Sequence, residues 1–280
     1  MSDLLGVTTE RLAVIGNISR DLTRYPDHRG GTRLGGGALL LSLAAAKAGR
    51  RAAPVCVLGN DLAHLPEAPE LSALDWSART QADGKSTAFD LEYDLQGELV
   101  GVGTNYGVAE ELTDHALRHM DLHPRDTYHV CCRRPLDVAA VLGRLAGNAA
   151  DFSVDFFLPS AEAMIRATAR WLPKATTVFV NAAEYRLLEQ AIDCATLPEV
   201  VITDGPRAAV VRRFGHQVAS AVPPPRSPRE VSGAGDALAG TFLARRWQGA
   251  TTAQALAEAT AAAADYVAAP PLPIPAPRRG

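Results

Sequence analysis

At 280 residues, with 47% apolar and 21% charged residues, the chain is long and apolar enough for one large α/β domain with a full core. A formal net charge of −3 at pH 7 excludes the basic footprint of a nucleic-acid binder. No run of about 18 apolar residues and no basic-then-apolar leader is present, so neither a membrane span nor a signal peptide is expected.

In chain order, Leu12–Ile15 reads as a short buried strand, and the polar, turn-rich run 22–34 as loop or an excursion from the core. Leu39–Ala48 is apolar on every side, as a fully packed helix would be. Pro54–Leu58 reads as the next strand. Residues 60–84 read as irregular chain, with Pro66 and Pro69 breaking any long helix. Residues 87–94 then alternate. Thr87, Phe89, Leu91 and Tyr93 face one way, and Ala88, Asp90, Glu92 and Asp94 the other, which is the period of a half-buried strand. Gln96-Gly97 makes the turn, and Glu98–Thr104 returns as a second strand.

From residue 110 onward strands and helices take turns. Helices are expected over 111–120, Pro135–Ala146, Ser160–Trp171 and Ala183–Gln190. Strands are expected over Thr127–Cys131, Phe152–Asp155, Thr177–Val180 and Val200–Thr203. The strands Ala208–Val211 and Val218–Val222 follow. Such alternation implies a parallel sheet covered by helices on both faces. Its ligand belongs at the carboxyl ends of the strands, where Asp21, Asp155, Asn181 and Thr203 fall. Pro223–Pro225 and Pro228 stiffen the next loop. An Ala-rich helix spans about 252–268, and Pro270–Gly280 is a Pro-rich tail with no packing signal. There is no internal repeat and no linker.

Four cysteines, Cys56, Cys131, Cys132 and Cys194, form no C-x-x-C pair and read as free thiols in a reducing cytoplasm. A P-loop and a G-x-S-x-G elbow are both missing. His115, His119 and His123 lie four apart, but among Asp114, Arg118 and Asp121 they read as a solvated face rather than a metal site. Asn17-Ile18-Ser19 is a formal glycosylation sequon, discounted because it follows a buried-looking strand.

The chemistry-bearing segment is Glu230-Val231-Ser232-Gly233-Ala234-Gly235-Asp236, a glycine turn opening into an apolar helix. Gly233 and Gly235 let the backbone bend tightly, and the free N–H groups of a helix start attract an anion such as a phosphate. Asp236 would repel that anion head-on, so it is better placed sideways, to take a proton from an attacking hydroxyl. A plain Gly-rich turn capped by Asp accounts for the same residues.

A resemblance to the ribokinase-like (PfkB) kinases separates these readings. Its features stand in family order. Gly16-Asn17-Ile18-Ser19-Arg20-Asp21 follows the first strand. Gly35-Gly36-Gly37 opens the long helix that leads through Gly49 to Gly59-Asn60-Asp61. Asn181-Ala182-Ala183-Glu184 and Thr203-Asp204-Gly205 precede the Gly-Ala-Gly-Asp turn. The resemblance implies a three-layer α/β/α domain over 1–280, with a mostly parallel central sheet. A small β lid would come from segments about 22–34 and 85–106, and the lid can also form a homodimer contact.

It further implies an ATP-dependent phosphotransferase acting on an alcohol group of a small sugar or sugar-like molecule. A nucleoside kinase of the same family is the rival, and a catalytically silent sugar- or nucleotide-binding regulator the alternative from another class. By resemblance Asp236 is the general base, and the N–H groups of Gly233, Ala234, Gly235 and Asp236 form the anion hole. Glu184 with Asn181 holds Mg2+, and Thr203 and Gly205 border the nucleotide phosphates. Asp21, Ser19, Gly35, Gly36 and Leu40 line the acceptor site. Taken alone, Asn181-x-x-Glu184 reads as a helix cap.

Departures from the family pattern concentrate at the acceptor end. Leu40 stands where Asn is usual, Ser19 where many sugar kinases carry Asn, and Ala208 where Gly is frequent. Glu230 replaces Asp and Val231 replaces Thr in a loop near which some relatives bind a monovalent cation. A sugar-phosphate acceptor would want a basic cluster, for which only Arg24, Arg29 and Arg33 lie near enough in sequence.

Overall fold

A computed structural model describes residues 11–27 and 30–277. β1 (Leu12–Ile15) leads to β2 (Ser19–Arg24), β3 (Gly30–Gly35), α1 (Gly37–Lys47) and β4 (Ala52–Leu58). Three short 3-10 turns within 65–78 precede β5 (Arg79–Gln81), and β6 (Thr87–Tyr93) pairs with β7 (Leu99–Asn105) as a hairpin. Alternation follows with α2 (Leu112–Leu122), β8 (Thr127–Cys132), α3 (Val138–Gly147), β9 (Phe152–Phe156), α4 (Leu158–Thr168), β10 (Thr177–Asn181), α5 (Ala182–Ala191) and β11 (Val200–Thr203). The chain closes with β12 (Ala209–Arg213), β13 (His216–Ala221), α6 (Ala234–Trp247) and α7 (Thr252–Ala268).

The large sheet runs β13-β12-β11-β10-β9-β8-β1-β4-β5. Pairing is parallel from β5 through β11 and antiparallel at β11–β12 and β12–β13. Its strands are apolar on both faces because both faces are covered. Ala13 and Ile15 of β1 join the core under α2, α3, α4 and α5, while Leu12 and Val14 join the core under α1, α6 and α7. This is the three-layer α/β/α arrangement that continuous apolar strands require.

A second sheet, β3-β2-β6-β7, lies outside these layers. The segment 22–34, read from its residues as loop or an excursion from the core and by resemblance as part of a β lid, contributes to β2 and β3, paired antiparallel from Ser19↔Gly35 to Arg24↔Gly30. Their apolar periodicity is hidden because the buried positions are polar: Ser19, Asp21, Thr23 and Arg33. Tyr25, Leu91 and Tyr93 form a small core of this sheet, with Tyr25 and Tyr93 stacked at 5.1 Å. Asp90, on the other face of β6, bonds Arg24, and Asp94 accepts from the N–H groups of Gln96 and Glu98 to fix the hairpin turn.

Two further expectations change. The tail is packed as far as Pro275: Leu34 N–H donates to the Leu272 carbonyl at 2.9 Å, Leu272 and Ile274 pack against the α1–α6–α7 core, and the Pro275 carbonyl lies 2.8 Å from His64 Nε2. Residues 278–280 of that tail lie outside the described residues. His119 is not solvated. It is 5% exposed and lies 3.3 Å from Asp126, which takes the Arg11 Nε–H at 2.8 Å. His119 therefore belongs to a buried polar lock at the amino ends of β1 and β8. Among the described residues no helix is long and apolar enough to cross a membrane.

Candidate active site

One cleft opens at the carboxyl ends of the parallel strands, where the small sheet meets α1 and α6. It is lined by Ser19 and Asp21 of β2, Gly36, Gly37 and Leu40 at the start of α1, and Phe89 and Leu91 of β6. Arg133 after β8, Phe157 after β9, Ser232 and Asp236 complete it. The predicted acceptor residues and the predicted base thus share one cleft. Asp21 is 4% exposed and accepts the Ser19 hydroxyl at 2.6 Å. Burial raises its pKa against the opposing pull of Arg33 and Ser19.

Two glycines are needed for backbone reasons. Gly36 has φ +96, and a Cβ there would stand 2.2 Å from the Asn17 carbonyl oxygen. Gly233, the residue before α6, has φ +93 and would meet Leu40 Cδ1 and Tyr266 Oη, both at 2.6 Å. A side chain at either position would be strained, and at Gly233 it would push the start of α6 away from α1. Leu40 therefore has two contacts: it walls the cleft and it packs under the glycine turn. The predicted anion hole is reduced by one donor. Ala234 N–H bonds the Val231 carbonyl at 3.2 Å, which leaves Gly233, Gly235 and Asp236 as the candidates.

Glu230 fastens this turn to the small sheet. Its carboxylate accepts from Thr23 Oγ1 and Tyr25 Oη, each at 2.7 Å, and from Ser232 N–H at 2.9 Å. Arg33, 1% exposed, lies 3.8 Å from Glu230 and 3.6 Å from Asp21, and donates to the Ser232 carbonyl at 3.1 Å. The loop that the resemblance linked to a monovalent cation thus carries a guanidinium of the protein itself. Arg24 is committed to Asp90 and Arg33 to this buried set, and Arg29 lies outside the described residues. Arg24 and Arg33 accordingly provide no cluster for a substrate phosphate.

The carboxylates in and around the cleft are electrostatically crowded. Burial pushes Asp236 up to about 7, Arg133 opposes this, and Asp155 adds to it. Burial also pushes Glu184 up to about 7, opposed by the N–H of Asn181 and reinforced by Asp155. Asp155 itself stays below its ordinary value: burial works against its charge, but Arg133 and then His129 outweigh burial.

On the other side of the strand ends, Asn181 and Thr203 are register partners at the ends of β10 and β11. Asn181 and Glu184 form a complete capping box at the start of α5. Asn181 Oδ1 accepts from Ala183 and Glu184 N–H at 2.9 Å, and Glu184 Oε2 accepts from Asn181 N–H at 2.9 Å. The cap expected from the spacing alone is therefore present. Glu184, 4% exposed, is also a deeply buried carboxylate near Asp155 and Arg133. Gly205 has φ +55, the left-handed region that favours glycine, and open space where a Cβ would be.

Sequence reasoning did not single out Gly37, Phe89, Leu91, Arg133, Phe157 or Ser232 as site residues, and it weighed Arg33 only for a substrate phosphate. The alternation of β6 put Phe89 and Leu91 on the apolar face, which was a usable signal. Arg133 and Phe157 carry none, because each simply follows the end of a buried strand.

A three-layer core with a cleft at its strand ends and a small sheet across the mouth is the ribokinase-like architecture of phosphotransferases that act on alcohol groups. The chain belongs to the pfkB family of carbohydrate kinases, whose family model matches residues 9–270. It is 28% identical over 246 residues to a cytidine kinase of Thermococcus kodakarensis, covering 83% of this chain and 87% of that protein. Its fold matches that of a Burkholderia thailandensis nucleoside kinase in complex with inosine, with a TM-score of 0.76 at 19% identity over 92% of this chain and 91% of that one. It also matches an E. coli candidate ribokinase II with ATP and Mg2+, with a TM-score of 0.75 at 18% identity over 94% of both chains.

Proposed function

We propose that the protein transfers the γ-phosphoryl group of ATP to a hydroxyl of a nucleoside or a similar ring-bearing sugar derivative, with Asp236 as general base. One observation carries this reading: Asp21 and Ser19, suited to a hydroxyl pair, face an apolar wall of Leu40, Phe89, Leu91 and Phe157 in the same cleft as Asp236. A free sugar would set hydroxyls without partners against that wall, which costs free energy. A base or deoxy edge would not. The cytidine and nucleoside kinases among the similar proteins agree with this choice. A silent binding protein would have no use for a carboxylate held at about 7 beside two others. The test is an ADP-release screen over nucleosides, free sugars and sugar phosphates. Turnover on nucleosides is expected, and no turnover by folded protein on any acceptor would favour the silent regulator.

The same screen tests Leu40. An apolar wall discriminates by only about 1–3 kcal/mol, whereas a site that pairs a hydroxyl rejects analogues lacking it far more strongly. Leu40→Asn should shift preference toward fully hydroxylated sugars. If it lowers activity on every acceptor alike, Leu40 serves only to pack under the Gly233 turn.

A divalent cation fits the nucleotide side, because burial and then Asp155 disfavour the charge of the Glu184 carboxylate, and a cation would relieve both. Glu184 would hold Mg2+, through water since that ion dehydrates reluctantly. The ion would supply neutralisation of the nucleotide phosphates. Glu184→Ala should shift the Mg2+ dependence of turnover more than acceptor KM, and a Mg2+ titration that overlays the parent curve would remove Glu184 from metal binding. Exposed Val100 and Val102 on β7, at 65% and 37%, support a homodimer contact through the lid, readable as molecular mass by light scattering.

A further inference from the structure

Arg133 has no role in the site as built from the sequence. Its Nη2 donates to Asp155 Oδ2 at 2.5 Å, and its guanidinium carbon lies 5.6 Å from the centre of the Phe157 ring. Asp155 is held in turn. Its Oδ1 lies 3.4 Å from His129 Nε2, and His129 Nδ1 lies 2.9 Å from Ser153 Oγ. This chain of contacts across β8 and β9 aims the guanidinium into the cleft, where its side chain is 15% exposed. There it and the candidate base both flank Gly37. A Cβ on that glycine would stand 3.1 Å from Arg133 Nη2 and 3.2 Å from Asp236 Oδ1. Arg133 Nε is buried and has no hydrogen-bond partner among the described residues.

Two arginines serve this region, and they are not equivalent. Arg33 lies beneath the cleft among Asp21, Glu230 and the Ser232 carbonyl. Arg133 lines the cleft beside Asp236. His129, Cys131 and Asp155 also bring ligand atoms within 4.8 Å of one another, as a metal site would. Arg133 already supplies the positive charge to Asp155, so the cluster serves as the mount of a guanidinium.

We infer that Arg133 is a catalytic residue of the transfer, a fixed positive charge set beside Asp236 to balance the negative charge that builds on the acceptor oxygen as it attacks phosphorus. The assignment rests on the kinase reading above. In that reaction the acceptor hydroxyl gives its proton to Asp236, and its oxygen forms a bond to the γ-phosphorus. The bond from that phosphorus to the β,γ-bridging oxygen breaks and leaves its electron pair on ADP. Arg133 exchanges no proton, because a guanidinium keeps its charge at any working pH. It acts as a preorganised donor, and one such donor is worth about 10²–10³ in kcat.

The experiment compares wild type, Arg133→Met, Arg133→Ala and Arg133→Lys by steady-state ADP release, with fold checked by circular dichroism. Arg133→Met should lose about 10²–10³ in kcat with both KM values little changed, the mark of an interaction made in the transition state. Guanidinium added at sub-denaturing concentration should restore part of the turnover of Arg133→Ala and none of that of Asp236→Asn. A kcat near wild type in Arg133→Met, or a loss confined to acceptor KM, overturns the assignment. If the Met variant does not fold, Arg133→Lys decides. Lysine can hold Asp155 or reach the cleft but not both, so kcat should fall, and an unchanged kcat overturns the proposal. A wild type inactive on every acceptor overturns the kinase reading itself. An active wild type with an equally active Met variant overturns only the role of Arg133.

Discussion

Asp236→Asn should lower turnover about 10²–10⁴-fold while leaving ATP binding in place, the usual worth of a positioned general base. The amide keeps the shape of the carboxylate and removes only its capacity to take a proton. Burial is the main reason that Asp236 stands at about 7, with Arg133 opposing and Asp155 adding to the shift. The sign of the pH dependence follows. The base works ionised, so kcat/KM of the wild type should be flat above that value and fall as pH drops through it. Glu184 stands at about 7 as well, so the acid limb belongs to the carboxylate group as a whole.

The same shift makes a stability statement. A folded pKa above the unfolded value means that ionising Asp236 costs the native state free energy. That cost is absent below the ordinary value near 3.8, grows with pH, and is complete above about 7. Asn carries no such cost. The variant should therefore melt at a higher temperature than the parent at about pH 8, with the gap closing toward about pH 4. A dead variant that melts higher is the expected result for a group strained for function. A dead variant that melts lower at every pH would instead mark Asp236 as a structural residue.

How far the site can be read from the chain depends on where each residue's partners lie. β1, β8, β9, β10 and β11 were legible because apolar runs between helices need no partner to be recognised. The Gly233–Asp236 turn was legible because its residue types are rare together at a helix start. β2 and β3 were legible only through the resemblance, as part of a lid, and not from periodicity. Their inward positions, Ser19, Asp21, Thr23 and Arg33, are polar, and they are buried only because Glu230 reaches them across about 200 residues of chain: Thr23 and Glu230 are 207 positions apart. His119 was misread for the same reason, since Arg11 and Asp126 are brought to it by separate strands. Periodicity reports a face that is apolar, and it is blind to a face made of matched charges. Arg133 is the extreme case, because its mount is assembled from two neighbouring strands and nothing local to it announces the role.

Arg33→Met should destabilise the protein by about 3–5 kcal/mol, the range for removing one partner of a buried ion pair and leaving the other charge uncompensated. Here two carboxylates, Asp21 and Glu230, would be left facing one another, each less than 5% exposed. The deficit should depend on pH in a definite direction. Burial already raises the pKa of Asp21, and Arg33 is the largest influence opposing it. Without Arg33 that pKa rises further, so the cost is present at neutral pH and is lost as pH falls and the carboxyl takes a proton. Denaturant midpoints of Arg33→Met and the parent should therefore converge in acid. Glu230→Gln added to Arg33→Met should recover part of the loss, because it removes one of the two stranded charges. Kinetically, acceptor KM should rise as Asp21 loses its brace, and kcat should fall as the Ser232 carbonyl and the Gly233 turn behind it come loose. Turnover of the wild type should be the same in sodium, potassium and Tris buffers, since the loop has its cation built in. Equal deficits at all pH values, with no recovery from Glu230→Gln, would mean that Arg33 stabilises the fold by packing alone and that the coupling between the acceptor site and the phosphoryl-binding turn runs by another route.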